Sequence, residues 1–273
     1  MSQKVNAALF RRSLQNSESN YKYIKLNKEE SSFLLYKNVE IKNYFYNLFK
    51  SYGLSILVFK LEFFRSNLII QVSFLEYLMH DRFKKVEQNK KILLTKIINK
   101  SLTTVLNRYY NKKINVVIKL KDLGKSFEDT IAKSKINRIE FIKTSKCLKN
   151  LKNYPNSSNL IKIAFIVATN KKSSKLLADT LSYLISSQKR RHSNILTFFK
   201  KLFSVLILSK LSIISGIRIQ ISGRINGFPR AKSRLLKLGS LPLQSINSCI
   251  DYHESKAYTP NGTFGIKVWI CGK

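Results

Sequence analysis

The chain has 273 residues, with 50 Lys and Arg against 15 Asp and Glu, for a formal charge of +35. Hydrophobic residues make up 44% of it, which excludes a wholly disordered tail, and the length allows two modest domains or one large one. A compact domain with this charge repels itself unless a polyanion neutralises it, and a phosphate backbone is the usual one.

In chain order, residues 1–33 are polar and basic with little periodicity and read as an extended N-terminal arm. The apolar positions Leu35, Val39, Ile41, Tyr44, Phe45, Leu48 and Phe49 predict a helix over 34–50, stopping near Gly53. Two short apolar runs, Ser55–Phe63 and Asn67–Phe74, predict adjacent strands with a turn at Arg65 and Ser66. Residues 82–107 have helical spacing, and Ile114–Leu120 is a third strand. The segment 123–174 is rich in Lys, Asn and Ser and reads as an insertion or connector, with one strand inside it at Asn159–Thr169. Residues 175–215 predict two helices. Ile217, Ile219 and Ile221 alternate with polar neighbours, which predicts a half-buried strand ending at Gly223. Ser245–His253 and Phe264–Ile270 are further strands, the second preceded by the turn Thr259-Pro260-Asn261-Gly262.

The charge is unevenly placed. No acidic residue occurs from 180 to 250, a stretch holding Lys189, Arg190, Arg191, Lys200, Lys201, Lys210, Arg218, Arg224, Arg230, Lys232, Arg234 and Lys237. Solvated surfaces normally mix signs, so this pattern reads as a folded surface lying on nucleic acid. The residues common here (Lys, Asn, Ile, Leu, Phe, Tyr, Ser) mostly have A- and T-rich codons, as in an organelle's genome. No membrane span is expected, since the most apolar stretch, Leu202–Ser209, is short and bracketed by lysines.

A search for chemistry finds no catalytic pattern. Cys147, Cys249 and Cys271 lack metal-ligand spacing, which argues against a disulfide framework, and His80, His192 and His253 are scattered and read as surface or RNA-facing. Asp251 and Glu254 fall on opposite faces of a strand, so an acid–base pair is not expected; Asp251 should pair with an Arg or cap a turn. Neither a P-loop nor a dinucleotide fingerprint is present. No enzyme, metal or cofactor is therefore expected.

Three motifs near the C-terminus carry a resemblance. Ser222-Gly223-Arg224-Ile225-Asn226-Gly227 resembles the S-G-R-L-G-G turn of the ribosomal protein S-three family. Leu241-Pro242-Leu243 followed by Ile250-Asp251-Tyr252 resembles its V-P-L then I-D-Y segment, and Gly265-Ile266-Lys267-Val268-Trp269-Ile270 its closing G-V-K-V-W-I strand. Gln3-Lys4-Val5-Asn6 and Phe10-Arg11 resemble the family's opening G-Q-K-V-N and F-R, which favours reading the N-terminus as mature protein made inside an organelle. Lys175-Leu176-Leu177-Ala178-Asp179 resembles its K-L-V-A-D.

The resemblance implies an α+β protein: an arm (1–33), a degenerate type II KH-like domain with helices on a small sheet (34–122), the connector (123–174), and a C-terminal two-layer α/β domain with an antiparallel sheet (175–273). A KH domain clamps RNA with a G-x-x-G loop, but no glycine occurs from 54 to 123, and Leu78-Met79-His80-Asp81 stands where that loop belongs. The implied role is that of a structural constituent of the small-subunit head in an organellar ribosome, in the mitochondrial matrix or alternatively a plastid. Expected partners are small-subunit rRNA, messenger RNA and head proteins of the S-ten and S-fourteen families, with no membrane and no homo-oligomer. Lys4, Arg11, Arg218, Arg224, Arg230, Lys232 and Arg234 are the expected rRNA contacts. Arg190, Arg191, Lys200 and Lys201 are the expected contacts where messenger RNA enters. A free organellar RNA-binding factor would share the charge but not the ordered motifs; a nuclease would need clustered carboxylates, which the basic half lacks.

Overall fold

In a computed structural model of the chain, the described residues are 6–7, 11, 21–22, 28–52, 54–64, 67–76, 100–110, 114–124, 126, 157–169, 173–188, 192–209 and 212–273. They divide into two units: an N-terminal unit, Glu18–Ser126, and a C-terminal unit, Met1–Ser17 together with Phe127–Lys273.

The N-terminal unit contains β1 (Tyr21–Lys22), α1 (Lys28–Ser51), β2 (Leu54–Phe64), β3 (Asn67–Glu76), α2 (100–109) and β4 (Asn115–Asp122). Its sheet has the order β1-β2-β3-β4. Strands β2 and β3 form an antiparallel hairpin closing at Phe64↔Asn67. Strands β3 and β4 are parallel, so the chain must cross over between them, and α2 lies on that crossover. Ile41, Phe45 and Phe49 recur every four residues on α1 and bury one stripe of it against Leu61, Leu68, Ile70 and Val72 of the sheet and Leu102 and Leu106 of α2. Each such side chain contributes roughly 1.5–3 kcal/mol. The rings interlock, with Phe45 5.4 Å from Phe59 and 6.2 Å from Phe49.

The C-terminal unit contains α3 (Ser157–Thr169), α4 (Ser174–Ser187), α5 (His192–Leu208), β5 (Ile214–Gly223), β6 (Lys232–Gly239), β7 (Ile250–Thr259) and β8 (Gly262–Gly272). The four strands form one antiparallel sheet, β6-β5-β8-β7. In-register residues share a face. Ile217, Ile219 and Ile221 therefore line up with Ile270, Val268 and Ile266, and all six are buried. This is the helix-covered side, because α4 packs on β7 and β8 and α5 on β5 and β6. Asp251 lies on the same face as this row and accepts the Ser174 N–H at 2.9 Å. Ser173, the residue before α4, supplies no side-chain cap, so a strand carboxylate caps this helix from 77 residues away. Ser255 adds a second tie by donating to the Ala178 carbonyl at 2.8 Å.

Three expectations are corrected. Asn159–Thr169 is part of helix α3, not a strand. Leu160 and the whole run Ile163–Ala168 are buried, so the helix is apolar nearly all round and shows no amphipathic period. The arm is shorter than 1–33, since α1 starts at Lys28 and Tyr21–Lys22 pairs with β2; Glu29 and Glu30 favour a helix N-terminus by charge, a signal independent of apolar spacing. The strand expected at Ser245–His253 begins only at Ile250, and 240–249 is a loop. Strand β6 was not expected, because an edge strand carrying Lys232, Arg234 and Lys237 lacks the alternation that marks a half-buried one. The expected loop replacement at 78–81 and the helix over 82–99 lie outside the described residues.

Candidate nucleic-acid interface

The S-G-R turn leaves β5 at Gly223 and enters a 3-10 turn, Ile225–Gly227. Gly223 and Gly227 have φ of 156° and 80°, and Asn226 has φ 57°. A non-glycine residue in the left-handed region needs local bonds to hold it there. Asn226 has three, all to the start of α5. Its N–H donates to His192 Nδ1 at 3.1 Å, its Nδ2 to Ser193 Oγ at 3.2 Å, and its Oδ1 accepts the Ser193 N–H at 3.3 Å. His192 must then carry its proton on Nε2, which donates to the Gln188 carbonyl at 2.7 Å. The ring is 2% exposed and stands edge-on to Phe264 at 4.9 Å. His192 is thus a buried pin and not the surface or RNA-facing residue expected of it.

The pinned turn presents cations. Arg224, Arg230, Lys232, Arg234 and Lys237 are all exposed, along the turn and the edge strand β6. Lys200 and Lys201 are exposed on α5. Lys4, Arg190 and Arg191 lie outside the described residues.

Two expected contacts have other work. Arg11 is 4% exposed; its Nη1 donates to the Ala7 carbonyl at 2.8 Å, and its Nη2 to the carbonyls of Leu243 and Ser245, both at 2.7 Å. It ties the N-terminal segment to the 240–249 loop, over a small cluster of Ile250, Trp269 and Cys271 flanked by Ala7, Leu241 and Leu243. Arg218 is half-buried, its guanidinium 5.1 Å from the centre of the Trp269 ring, and its buried Nε has no acceptor. That arrangement is a cation–π contact on the sheet face away from the helices.

Between α4 and β7 lies a titratable group of a different kind. Burial raises the Asp179 carboxyl, against the pull of Lys175 and His253. Burial lowers the His253 imidazole, which Asp179 partly opposes. Among the described residues, no cluster of His, Cys, Asp or Glu is built to hold a metal ion.

Exposed Phe228 escaped the sequence reading, as did the pair His192 and Asn226. The dipeptide Asn226-Gly227 is a left-handed turn signal that marks the pin's position, but its partner is 33 residues away and has no local sign.

An antiparallel sheet with α4 and α5 packed on one face, and a cationic turn and edge strand free of carboxylates, defines an α+β domain with an exposed basic face. Residues 198–270 match the family described as "Ribosomal protein S3, C-terminal domain". Small ribosomal subunit protein uS3c of Cyanidium caldarium is 35% identical over 122 residues, which are 45% of this chain and 56% of the relative. Small ribosomal subunit protein uS3 of Karelsulcia muelleri is 38% identical over 100 residues, 36% of this chain and 42% of the relative. The uS3 of Bacteroides thetaiotaomicron is 52% identical over 56 residues, 20% and 23% of the two chains. The chain thus spans about half the length of the first of these relatives or less. Over residues 198–270 the chain is similar to the C-terminal domain of ribosomal protein S3.

Proposed function

We propose that this chain is a structural, non-catalytic constituent of a small ribosomal subunit of bacterial or organellar type, and that its C-terminal unit holds rRNA. The observation that carries this is the exposed row Arg224, Arg230, Lys232, Arg234 and Lys237, in a stretch from 180 to 250 with no carboxylate to neutralise it. Phosphates are the partner such a row lacks. Lys4 completes the proposed contacts, while Arg11, by fixing the loop beside the sheet, and Arg218, stacked on Trp269, support them.

Lys200 and Lys201 project from α5, a rigid support for single-stranded phosphates. With Arg190 and Arg191 before that helix, they are the proposed contacts where messenger RNA enters the subunit. The N-terminal unit is proposed to be a type II KH-like module: its helix, hairpin, helix and parallel closing strand support this. Lacking glycine from 54 to 123, it packs rather than clamps RNA. Neighbours of the S-ten and S-fourteen families and an organellar home, mitochondrial before plastid, follow from the same reading.

The test is a sucrose gradient of organelle lysate in magnesium. Co-migration with the small subunit through a high-salt wash is the expected result. Release by salt into free RNA complexes would overturn the assignment and favour a free RNA-binding factor.

A further inference from the structure

Phe228 is 55% exposed in the middle of the cationic turn. Single exposed apolar side chains are common, Leu208 and Ile246 among them, and what sets Phe228 apart is a cationic surround able to hold a ligand. Its neighbours say which kind. Arg224 donates through Nε to the Phe228 carbonyl at 3.1 Å, and no protein group among the described residues takes its terminal nitrogens. The Lys232 ammonium lies 5.8 Å from the ring centre, and Arg230 is exposed two residues on. A protein partner would seek a contiguous apolar area, and protein interfaces are poor in Lys. A ring set among cations suits instead a flat base attached to phosphates.

The seat is also formed before any ligand arrives. The Phe228 N–H donates to the Ile225 carbonyl at 3.3 Å, and the Gly227 N–H to the Arg224 carbonyl at 3.1 Å. Asn226 is pinned to His192 and Ser193 on α5. Gly227 and Gly262 face the β7–β8 turn and the Arg224 stem, where an added Cβ would lie 3.4 Å from Asn261 Nδ2 and 3.9 Å from Arg224 Cδ respectively. Little ordering entropy then remains to be lost on binding. We infer that the turn from Arg224 to Lys232 is a preformed seat for one unpaired RNA base, stacked on Phe228, with Arg224, Arg230 and Lys232 on the flanking phosphates. This rests on the RNA-binding reading of the same face and adds the form of RNA that it takes.

The test uses the full chain and a short single-stranded RNA containing 2-aminopurine, whose fluorescence falls on stacking. Phe228→Ala should weaken binding about 5- to 100-fold and remove the quench. It should leave the salt dependence unchanged, because no phosphate contact is lost. Phe228→Trp should restore both affinity and quench. Arg224→Ala with Arg230→Ala should instead flatten the salt dependence by about 1.4 in log–log slope, at roughly 0.7 per contact. If Phe228→Ala binds and quenches like the parent while the arginine pair loses affinity and slope, the stacking seat is wrong and the RNA face stands. If both variants bind like the parent, the face itself is wrong and the seat falls with it.

Discussion

The two units differ in where carboxylates stand beside their cations. In the N-terminal unit Lys37 is enclosed by the protein's own rings, 4.3 Å from Phe33, 4.9 Å from Tyr110 and 5.3 Å from Tyr109. Glu40 beside it accepts from the Tyr109 hydroxyl, and its carboxyl is held below the usual carboxylate range by the bonds from Tyr109 and Tyr36. Burial, with Glu40 nearby, pushes the Tyr109 hydroxyl far up. In the C-terminal unit the exposed row from Arg224 to Lys237 has no carboxylate near it in sequence: the nearest are Asp179 and Asp251, and the Asp251 carboxylate caps α4. The internal pairing in the N-terminal unit is local to Lys37 and Glu40, since Lys50, Lys100, Arg108, Lys119 and Lys121 of the same unit are exposed. The C-terminal unit sets its row of cations outward on a turn fixed by buried bonds, and the proposed polyanion contact rests on that row.

Mutations should separate the units. Phe45→Ala should have the largest effect, about 3–5 kcal/mol, because the ring is wholly buried in the N-terminal core. Amide hydrogen exchange should show protection lost from α1 to β4 and retained from β5 to β8; loss in both would break the division. Arg11→Ala should cost about 2–4 kcal/mol, since the carbonyls of Ala7, Leu243 and Ser245 lose a charged donor. Urea titration followed by Trp269 fluorescence reports on this, and a change under 0.5 kcal/mol would mean that the anchor is idle. Asp251→Ala should cost about 1 kcal/mol by uncapping α4.

The smallest effect is one of pH. His253 faces Asp179, Lys175, Asp251 and Glu254, and burial lowers its imidazole from the ordinary 6.5. The folded state therefore binds its proton less readily than the unfolded state. The stability it contributes is present above pH 6.5 and is lost as pH falls through the lower folded value. Asp179, raised by burial, works in the opposite sense, favouring the folded state at lower pH. His253→Gln should flatten the loss seen in urea midpoints below pH 6.5; an unchanged profile would mean that another group sets it.

How far these features could be read from the sequence follows from how local their causes are. Strand β5 was legible because Ile217, Ile219 and Ile221 alternate along one segment. The β2–β3 hairpin was legible because its two runs are joined directly. Helix α3 was not, since burial on all sides erases the period that separates helix from strand. Arg11 and His192 were misjudged for a second reason: residue type suggests solvent or RNA, while the groups that bury them come from across the fold. The carbonyls that hold Arg11 lie 232 and 234 residues on. The cationic face was legible as a run without carboxylates, but its preformed geometry, made by Asn226 and His192, was not.

The most direct test of the central claim is the salt dependence of full-chain binding to small-subunit rRNA, compared with a variant carrying Arg224→Ala, Arg230→Ala, Lys232→Ala and Arg234→Ala. Four lost phosphate contacts should lower the log–log slope by about 3, with the fold unchanged by circular dichroism. An equal slope in the two proteins would contradict the account and move the RNA-holding surface elsewhere on the chain.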